Sequence, residues 1–301
     1  MFEFSEVIPE DYHKLRVDAV LAKLFPDYSR NQWIDWLRKG LIFHQEQPLS
    51  PKNKLSSGQI IYGSVPINIP YVKAPAQEMP LDIIYEDEFL LVINKPHGLV
   101  VHPGAGQIDA TLMNALLYHD TRLELLPRAG IVHRLDKDTT GLMVIAKTAA
   151  CYQLLVHAMK ERLIKREYQA LVHGKLLSAG TIHTKYGRSP KNRLKMAVTK
   201  EGKEAITHYQ IAQKFAQHTL LRVRLETGRT HQIRVHLAYL GHSIVGDKLY
   251  GKTTFGQGVN FPRQALHACE LKFIHPISQK ELTFVANIPD DFELLLEKLT
   301  E

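Results

Sequence analysis

The chain has 301 residues, 45% of them hydrophobic and 23% charged, with a net charge of +7 and sixteen histidines. That is ordinary globular usage, long enough for one or two packed domains, and it excludes a disordered or fibrous chain. Cys151 and Cys269 stand far apart with no CxxC, which excludes a disulfide framework or a zinc ribbon, and the basic excess points to an anionic partner, nucleic acid first.

The amino terminus, MFEFSEVIPEDYHKLRV, carries early acids and no apolar signal core, and no apolar run reaches membrane-spanning length. A cytoplasmic protein is expected. Val17, Val20, Leu21, Leu24 and Phe25 then recur on one helix face before Pro26 stops it. Ser29 suits the N-cap of a second helix, with Trp33, Ile34 and Leu37 as its buried stripe and Gly40 at its left-handed end. LIFHQE and QIIYGSV read as two short strands. Arg16, Arg30, Arg38 and Lys39, with Lys14 and Lys23, give these helices a basic face suited to a phosphate backbone, or simply to solvent.

Pro66, Pro70, Pro75 and Pro80 deny both helix and central strand to the next stretch. The expected organisation is a small unit over 1–65, a linker over 66–80 and a large unit over 81–301. In the large unit LLVINKP, GLMVIAK, YQALVHG, AITHYQIAQKF and TLLRVRLET read as strands. ATLMNALLYHD, CYQLLVHAMKERLIKR, HQIRVHLAYLG and ELLLEKL have helical spacing. Hairpin-like neighbours with helices between them predict an α+β fold with a mixed or antiparallel sheet.

Most familiar chemical motifs are missing. GAGQID, at 104–109, lacks the third glycine of a dinucleotide loop and reads as a surface turn. No histidine or cysteine spacing suits a metal, and none is expected. What stands out is GIVHRLDKDTTGLMVIAK, at 130–147, where charges interrupt two segments that both favour burial. Asp138, before Thr139 and Thr140, suits capping of backbone amides. Asp136 is left as the single candidate acid: Arg134 and Lys137 beside it favour its charged form, and a carboxylate so placed serves as nucleophile, as base, or only as a salt-bridge partner.

HRLDKDTTGL, preceded by VINKPHGLVVHPG and followed in order by REY and GRTHQIRVH, resembles the catalytic signature of the RluA-type pseudouridine synthases. The stretch from LRVDAVLAKLFPDYSR to GSV resembles the S4 RNA-binding module that many members carry, so the likeness spans nearly the whole chain. FPDYSR, IYEDEFLLVINKP, VVHPGAG and PRAGIVHRLDKDTTGLMV look most like the RluD-type branch, which modifies large-subunit (23S) ribosomal RNA in the helix 69 stem-loop. One departure concerns the S4 turn, usually Val-Asn-Gly-like, where this chain has Phe43, His44, Gln45 and Glu46.

The resemblance implies a pseudouridine synthase fold, with a central sheet, flanking helices and an RNA-binding cleft, and an isomerase that needs no cofactor. It assigns Asp136 to attack at the sugar or removal of a sugar proton, Arg229 to an ion pair with it, and Tyr168 to stacking on the flipped uracil and helping to remove its C5 proton. Arg134 would brace the gap left by the extruded nucleotide, Ile233 and Lys95 would wall the pocket, and the basic run KYGRSPKNRLKM, with Lys185, Arg188, Lys191, Arg193 and Lys195, would grip the stem. The implied partner is ribosomal RNA, free or in a pre-ribosomal particle, and the implied state a monomer. Other readings are a non-catalytic RNA-binding assembly factor, a glycosylase that releases the base, and a pseudouridine synthase acting on tRNA or another ribosomal site.

Overall fold

The computed structural model describes residues 1–25, 28, 30–66, 74–104, 107–192, 195–251 and 260–300. They fall into two units, Met1–Lys73 and Ala74–Glu301. Among the described residues no helix is long and apolar enough to cross a membrane.

The first unit runs β1 (Phe2–Val7), α1 (Val17–Leu24), α2 (Arg30–Arg38), β2 (Ile42–His44), β3 (Gln47–Pro48) and β4 (Ile60–Val65). Its strands form an antiparallel sheet in the order β1-β4-β2-β3. The helical period places Val17, Val20 and Leu21 of α1 against Trp33, Trp36 and Leu37 of α2 in one core. Trp36 takes the buried place expected of Ile34, which is half-buried. Gly40 adopts the left-handed conformation, φ +67, and Leu41 N–H reaches back 3.1 Å to the Trp36 carbonyl, closing α2 as its sequence predicts. Pro26 and Ser29 lie outside the described residues.

β1 had no counterpart in the sequence reading: only Phe2 and Phe4 are half-buried and the rest of its side chains are exposed, so its polar composition hid it. The basic face is also altered. Asp18 is fully buried, with Arg16 at 3.0 Å and Arg30 at 2.9 Å from its carboxylate, so both guanidinium groups neutralise an internal acid. Lys39 pairs with Asp35 one turn earlier, at 2.7 Å, and Arg38 is exposed.

The second unit contains β5 (Ile83–Glu86), β6 (Leu90–Lys95), α3 (Leu112–His119), β7 (Thr140–Ala146), α4 (Ala149–Lys160), β8 (Lys165–His173), β9 (Gly180–Arg188), β10 (Met196–Val198), β11 (Lys203–Lys214), β12 (His218–Leu225), α5 (Gln232–Tyr239), β13 (Leu266–Ile274), β14 (Glu281–Val285) and α6 (Asp290–Glu297). They build one sheet in the order β10-β9-β11-β12-β8-β13-β7-β6-β5, with β14 paired to β13. All pairings are antiparallel except β13 with β7, so the sheet is mixed. Its core includes Leu90, Val92, Leu142, Val144, Leu155, Leu271 and Phe273.

Three details depart from the sequence reading. The helix expected from CYQLLVHAMKERLIKR ends at Lys160, because Arg162 turns left-handed (φ +61) and β8 begins at Lys165. Residues 74–80, expected as linker, belong to the second unit: Ala74 is buried, Asn114 Nδ2 donates to the Pro75 carbonyl at 2.8 Å, and Gln77 N–H donates to the Asn114 carbonyl at 3.1 Å. The central strand β13, which joins the β8 and β7 halves of the sheet, was not anticipated. Of GAGQID, residues 105–106 lie outside the described residues, and the backbones of Gly104 and Gln107 exchange hydrogen bonds of 2.8 and 3.1 Å.

Candidate active site

Asp136 lies on the short loop that precedes β7. Three side chains from elsewhere hold this loop by its backbone and one hydroxyl. Lys95 Nζ, at the end of β6, lies 2.9 Å from the Lys137 carbonyl, and also 3.0 Å and 2.7 Å from those of Leu99 and Pro96. Gln264 Nε2 reaches Thr139 Oγ1 at 3.2 Å, and Arg263 Nη1 lies 3.4 Å from the Asp138 carbonyl. Arg263 is itself held by two 2.7 Å bonds to Asp291 at the start of α6. Lys95 was expected as pocket wall; its ammonium is fully enclosed and acts on the loop instead. Burial pushes it down to about 7, against the pull of Asp138 and Asp136 and with repulsion from Arg263.

The Asp136 carboxylate, 15% exposed, meets Arg234 of α5: Nη1 lies 2.9 Å from Oδ2. The same guanidinium is gripped from behind by Asp247, with Nε 2.7 Å from Oδ2 and Nη2 2.9 Å from Oδ1. Asp247 also accepts the backbone N–H groups of Leu249 and Tyr250, at 2.9 and 3.0 Å, so its Oδ1 is fully used. Burial opposes the charge on Arg234, but hydrogen bonds to Asp247 and the charges of Asp247 and Asp136 outweigh it and hold the guanidinium protonated. Asp247 is held low in turn: burial raises it, and its bonds to Arg234 more than reverse this. The group of two carboxylates and one guanidinium carries a net negative charge.

Arg234 can reach Asp136 because α5 is pinned to the sheet. Gln232, at the first position of α5, uses its whole amide: Oε1 accepts from Thr227 Oγ1 and Arg229 N–H, and Nε2 donates to the Ile206 carbonyl and Thr207 Oγ1. His236, one turn later, sits between Thr207 and Thr184, at 2.8 and 3.0 Å. Burial pushes its imidazole down to about 4, so it serves as a neutral bolt.

This overturns the ion pair expected of Arg229. Arg229 precedes the helix, and its Nε lies 3.2 Å from the Glu204 carbonyl; Arg234, five residues later and inside α5, faces Asp136. The signal available in sequence was an arginine between two apolar residues, Ile233 and Val235, together with the lone acid of VGDKLYG. A buried arginine needs a buried acid, and the chain supplies Asp247.

Tyr168 of β8 is 4% exposed, flanked in the sheet by Val223 and Ala268. Burial raises its phenol, with Asp136 adding to the shift and Arg166 opposing it, so it stays protonated at neutral pH. Ile233, on α5 next to Arg234, is buried, and Arg134, two residues before Asp136, is exposed. Arg193 lies outside the described residues, and Lys195 stands 5.9 Å from the centre of the Tyr250 ring. No cluster of three metal-binding side chains occurs among the described residues.

Residues 89–239, which contain β6 through α5 and hence Asp136, Tyr168 and Arg234, match the family model described as RNA pseudouridylate synthase. The chain is 44% identical, over all of its length and 93% of the relative's, to the ribosomal large subunit pseudouridine synthase D of Xylella fastidiosa. To the protein of that name from Vibrio cholerae it is 45% identical, over 96% of this chain and 92% of the other. The human RNA pseudouridylate synthase domain containing 1 structure superposes with a TM-score of 0.59 at 25% identity, covering 75% of this chain and 97% of that one. A carboxylate on a braced loop, charge-paired from a pinned helix, is thus found on the scaffold and in the motifs of known uridine isomerases: this chain belongs to the RNA pseudouridylate synthase family.

Proposed function

We propose that this pseudouridine synthase acts on uridines of large-subunit (23S) ribosomal RNA, in the helix 69 stem-loop, with Asp136 as the acting carboxylate. The observation that carries the assignment is the Asp136–Arg234–Asp247 arrangement, with 2.9 Å between Arg234 and Asp136. Breaking the N1–C1′ bond builds positive charge at C1′ of the ribose. A cluster with one more carboxylate than cation stabilises that charge, and fixed groups do so without reorganising. The uracil leaves with the N1–C1′ electron pair, and Asp136 either bonds to C1′ and is displaced when C5 attacks there, or takes the C2′ proton to leave a glycal and returns it as C5 bonds to C1′; in both routes the uracil turns over and the C5 proton is released.

Tyr168 is assigned to stack on the extruded base. Its raised phenol favours packing and hydrogen bonding over proton removal as a phenolate. Arg134, exposed beside the acid, is assigned to the space vacated by the flipped nucleotide, and Ile233 to the pocket wall. The unit at 1–65 is read as an S4-like RNA-binding module, with Arg38 and Lys39 as its phosphate contacts, the partner of Lys39 being the exposed Asp35; Arg16 and Arg30 contribute less, being engaged by the buried Asp18. The chain is read as acting as a cytoplasmic monomer, on free RNA or a pre-ribosomal particle.

The test is carbodiimide and primer-extension mapping of ribosomal RNA incubated with the wild type or with Asp136→Ala. New stops in helix 69 only with the wild type are expected. Stops elsewhere, or on tRNA, would replace the substrate assignment; persistence of the stops with Asp136→Ala would remove Asp136 from its role.

A further inference from the structure

His231 occupies the turn into α5 with a left-handed backbone, φ 58 and ψ 19, a conformation costly for any residue with a Cβ. The ring it carries is tied on one side and directed at the acid on the other. Nδ1 lies 2.8 Å from the Tyr250 hydroxyl, and that hydroxyl already accepts the Met196 backbone N–H at 2.9 Å. Accepting from Met196 leaves the hydroxyl its own proton to donate, and Nδ1 is placed to receive it. The neutral imidazole then bears its proton on Nε2, which stands 3.8 Å from Asp136 Oδ1. Arg234 holds the other oxygen, Oδ2.

Tyr250 is well placed to fix this tautomer. Its ring is flanked by the Arg234 guanidinium at 5.2 Å and the Lys195 ammonium at 5.9 Å, and its backbone N–H is held by Asp247. The charged groups acting on the imidazole are Asp136 and Asp247, which favour its protonation, and Arg234 and Arg134, which oppose it. Burial is the largest influence and keeps it neutral.

We propose that His231 is a positioning residue for Asp136: its Nε2–H, set by Tyr250, donates to Oδ1 when a nucleotide is bound. At 3.8 Å the two atoms are too far apart for a hydrogen bond, and catalytic contacts of this kind tighten in the substrate complex. With Arg234 on Oδ2 and His231 on Oδ1, the plane of the carboxylate is fixed relative to the ribose. This inference rests on the reading of Asp136 as the acting group.

The experiment measures single-turnover release of tritium from RNA carrying uridine tritiated at C5, at saturating enzyme, for the wild type and for His231→Ala, His231→Gln, Tyr250→Phe and Asp136→Ala. RNA affinity is measured alongside. All three residues compared at position 231 bear a Cβ, so the backbone strain is common to them. His231→Ala should slow release about 100-fold, the scale of a small misplacement of a reacting group, with RNA affinity unchanged. His231→Gln, whose side-chain amide restores a donor near Nε2, should recover most of the rate, and Tyr250→Phe should fall between. Nitrogen-15 NMR of the wild-type imidazole should show the proton on Nε2. A wild-type rate for His231→Ala, equal losses for Ala and Gln, or a proton on Nδ1 would each overturn the proposal. Tritium release by Asp136→Ala would instead overturn the reading beneath it.

Discussion

Replacing Asp247 by Asn is the most informative single change, because it removes one charge and almost no volume. The side chain is fully buried and accepts four hydrogen bonds, two from Arg234 and two from backbone N–H groups. If the amide oxygen takes the place of Oδ1, three bonds survive, and the amide nitrogen then faces Arg234 Nε across 2.7 Å, donor against donor. Removing one partner of a buried pair costs about 3–5 kcal/mol, and Asp136, still bound to Arg234, places this case near about 3 kcal/mol. For a unit of this size each kcal/mol moves Tm by about 2–4 °C, so a drop of roughly 6–12 °C is expected by calorimetry. Turnover should fall about 100-fold as well, since the guanidinium is no longer held in place and the cluster loses its net negative charge. The double variant Asp247→Asn/Arg234→Met should be more stable than the sum of the single losses, by about 2 kcal/mol in a cycle, because neither Asp247 nor Arg234 then leaves the other as an unpaired buried charge. A Tm within about 2 °C of wild type, or strict additivity in the cycle, would refute the claim that Asp247 anchors Arg234.

Other expectations can be checked with the same preparations. Arg234→Lys should lower kcat about 100-fold, since an ammonium cannot serve both carboxylates in fixed geometry, whereas Arg229→Lys should stay within about 5-fold; the reverse order would restore Arg229 as the partner of Asp136. His267, buried between Thr140 Oγ1 and the Ala286 carbonyl, is pushed down to about 4, chiefly by burial. Its folded-state value lies below the ordinary 6.5, so its stabilisation is complete above pH 6.5 and fades as pH falls towards 4, by about 3 kcal/mol. His267→Gln should therefore flatten the loss of stability in urea titrations between those pH values, and an unchanged slope would count against it. Gly141→Ala should destabilise by about 3 kcal/mol in urea unfolding, because φ is +116 and a Cβ would lie 2.3 Å from the Ala268 carbonyl oxygen, a backbone atom of β13; a neutral result would mean that β7 and β13 are not so closely joined.

How much of this was legible beforehand depends on whether the signal was local. The α1 stripe, the stop at Gly40, the strands around GLMVIAK and YQALVHG, and the choice of Asp136 all come from residues within a few positions of one another. β1 and β13 were invisible for the opposite reason. β1 shows a polar composition and earns its place only by pairing with β4, at the other end of its unit. β13 joins β7 and β8, which the chain had left at Ala146 and His173, long before it reaches Leu266.

The site divides in the same way. Charge spacing in HRLDKD singled out the acid, and the order of the motifs placed a tyrosine and an arginine-bearing helix after it. Which arginine meets the acid was decided by the rotation of α5, fixed by Gln232 and His236 against β9 and β11. Asp247 and Tyr250 were brought in by a loop that returns under that helix, and Lys95 was turned from a wall into a brace by burial among three carbonyls. The sequence by itself determined the family, the candidate carboxylate and the helices and strands with a local period. The tertiary structure decided the partner of that carboxylate, because ion pairing depends on ångström distances between segments whose separation along the chain carries no information about their separation in space.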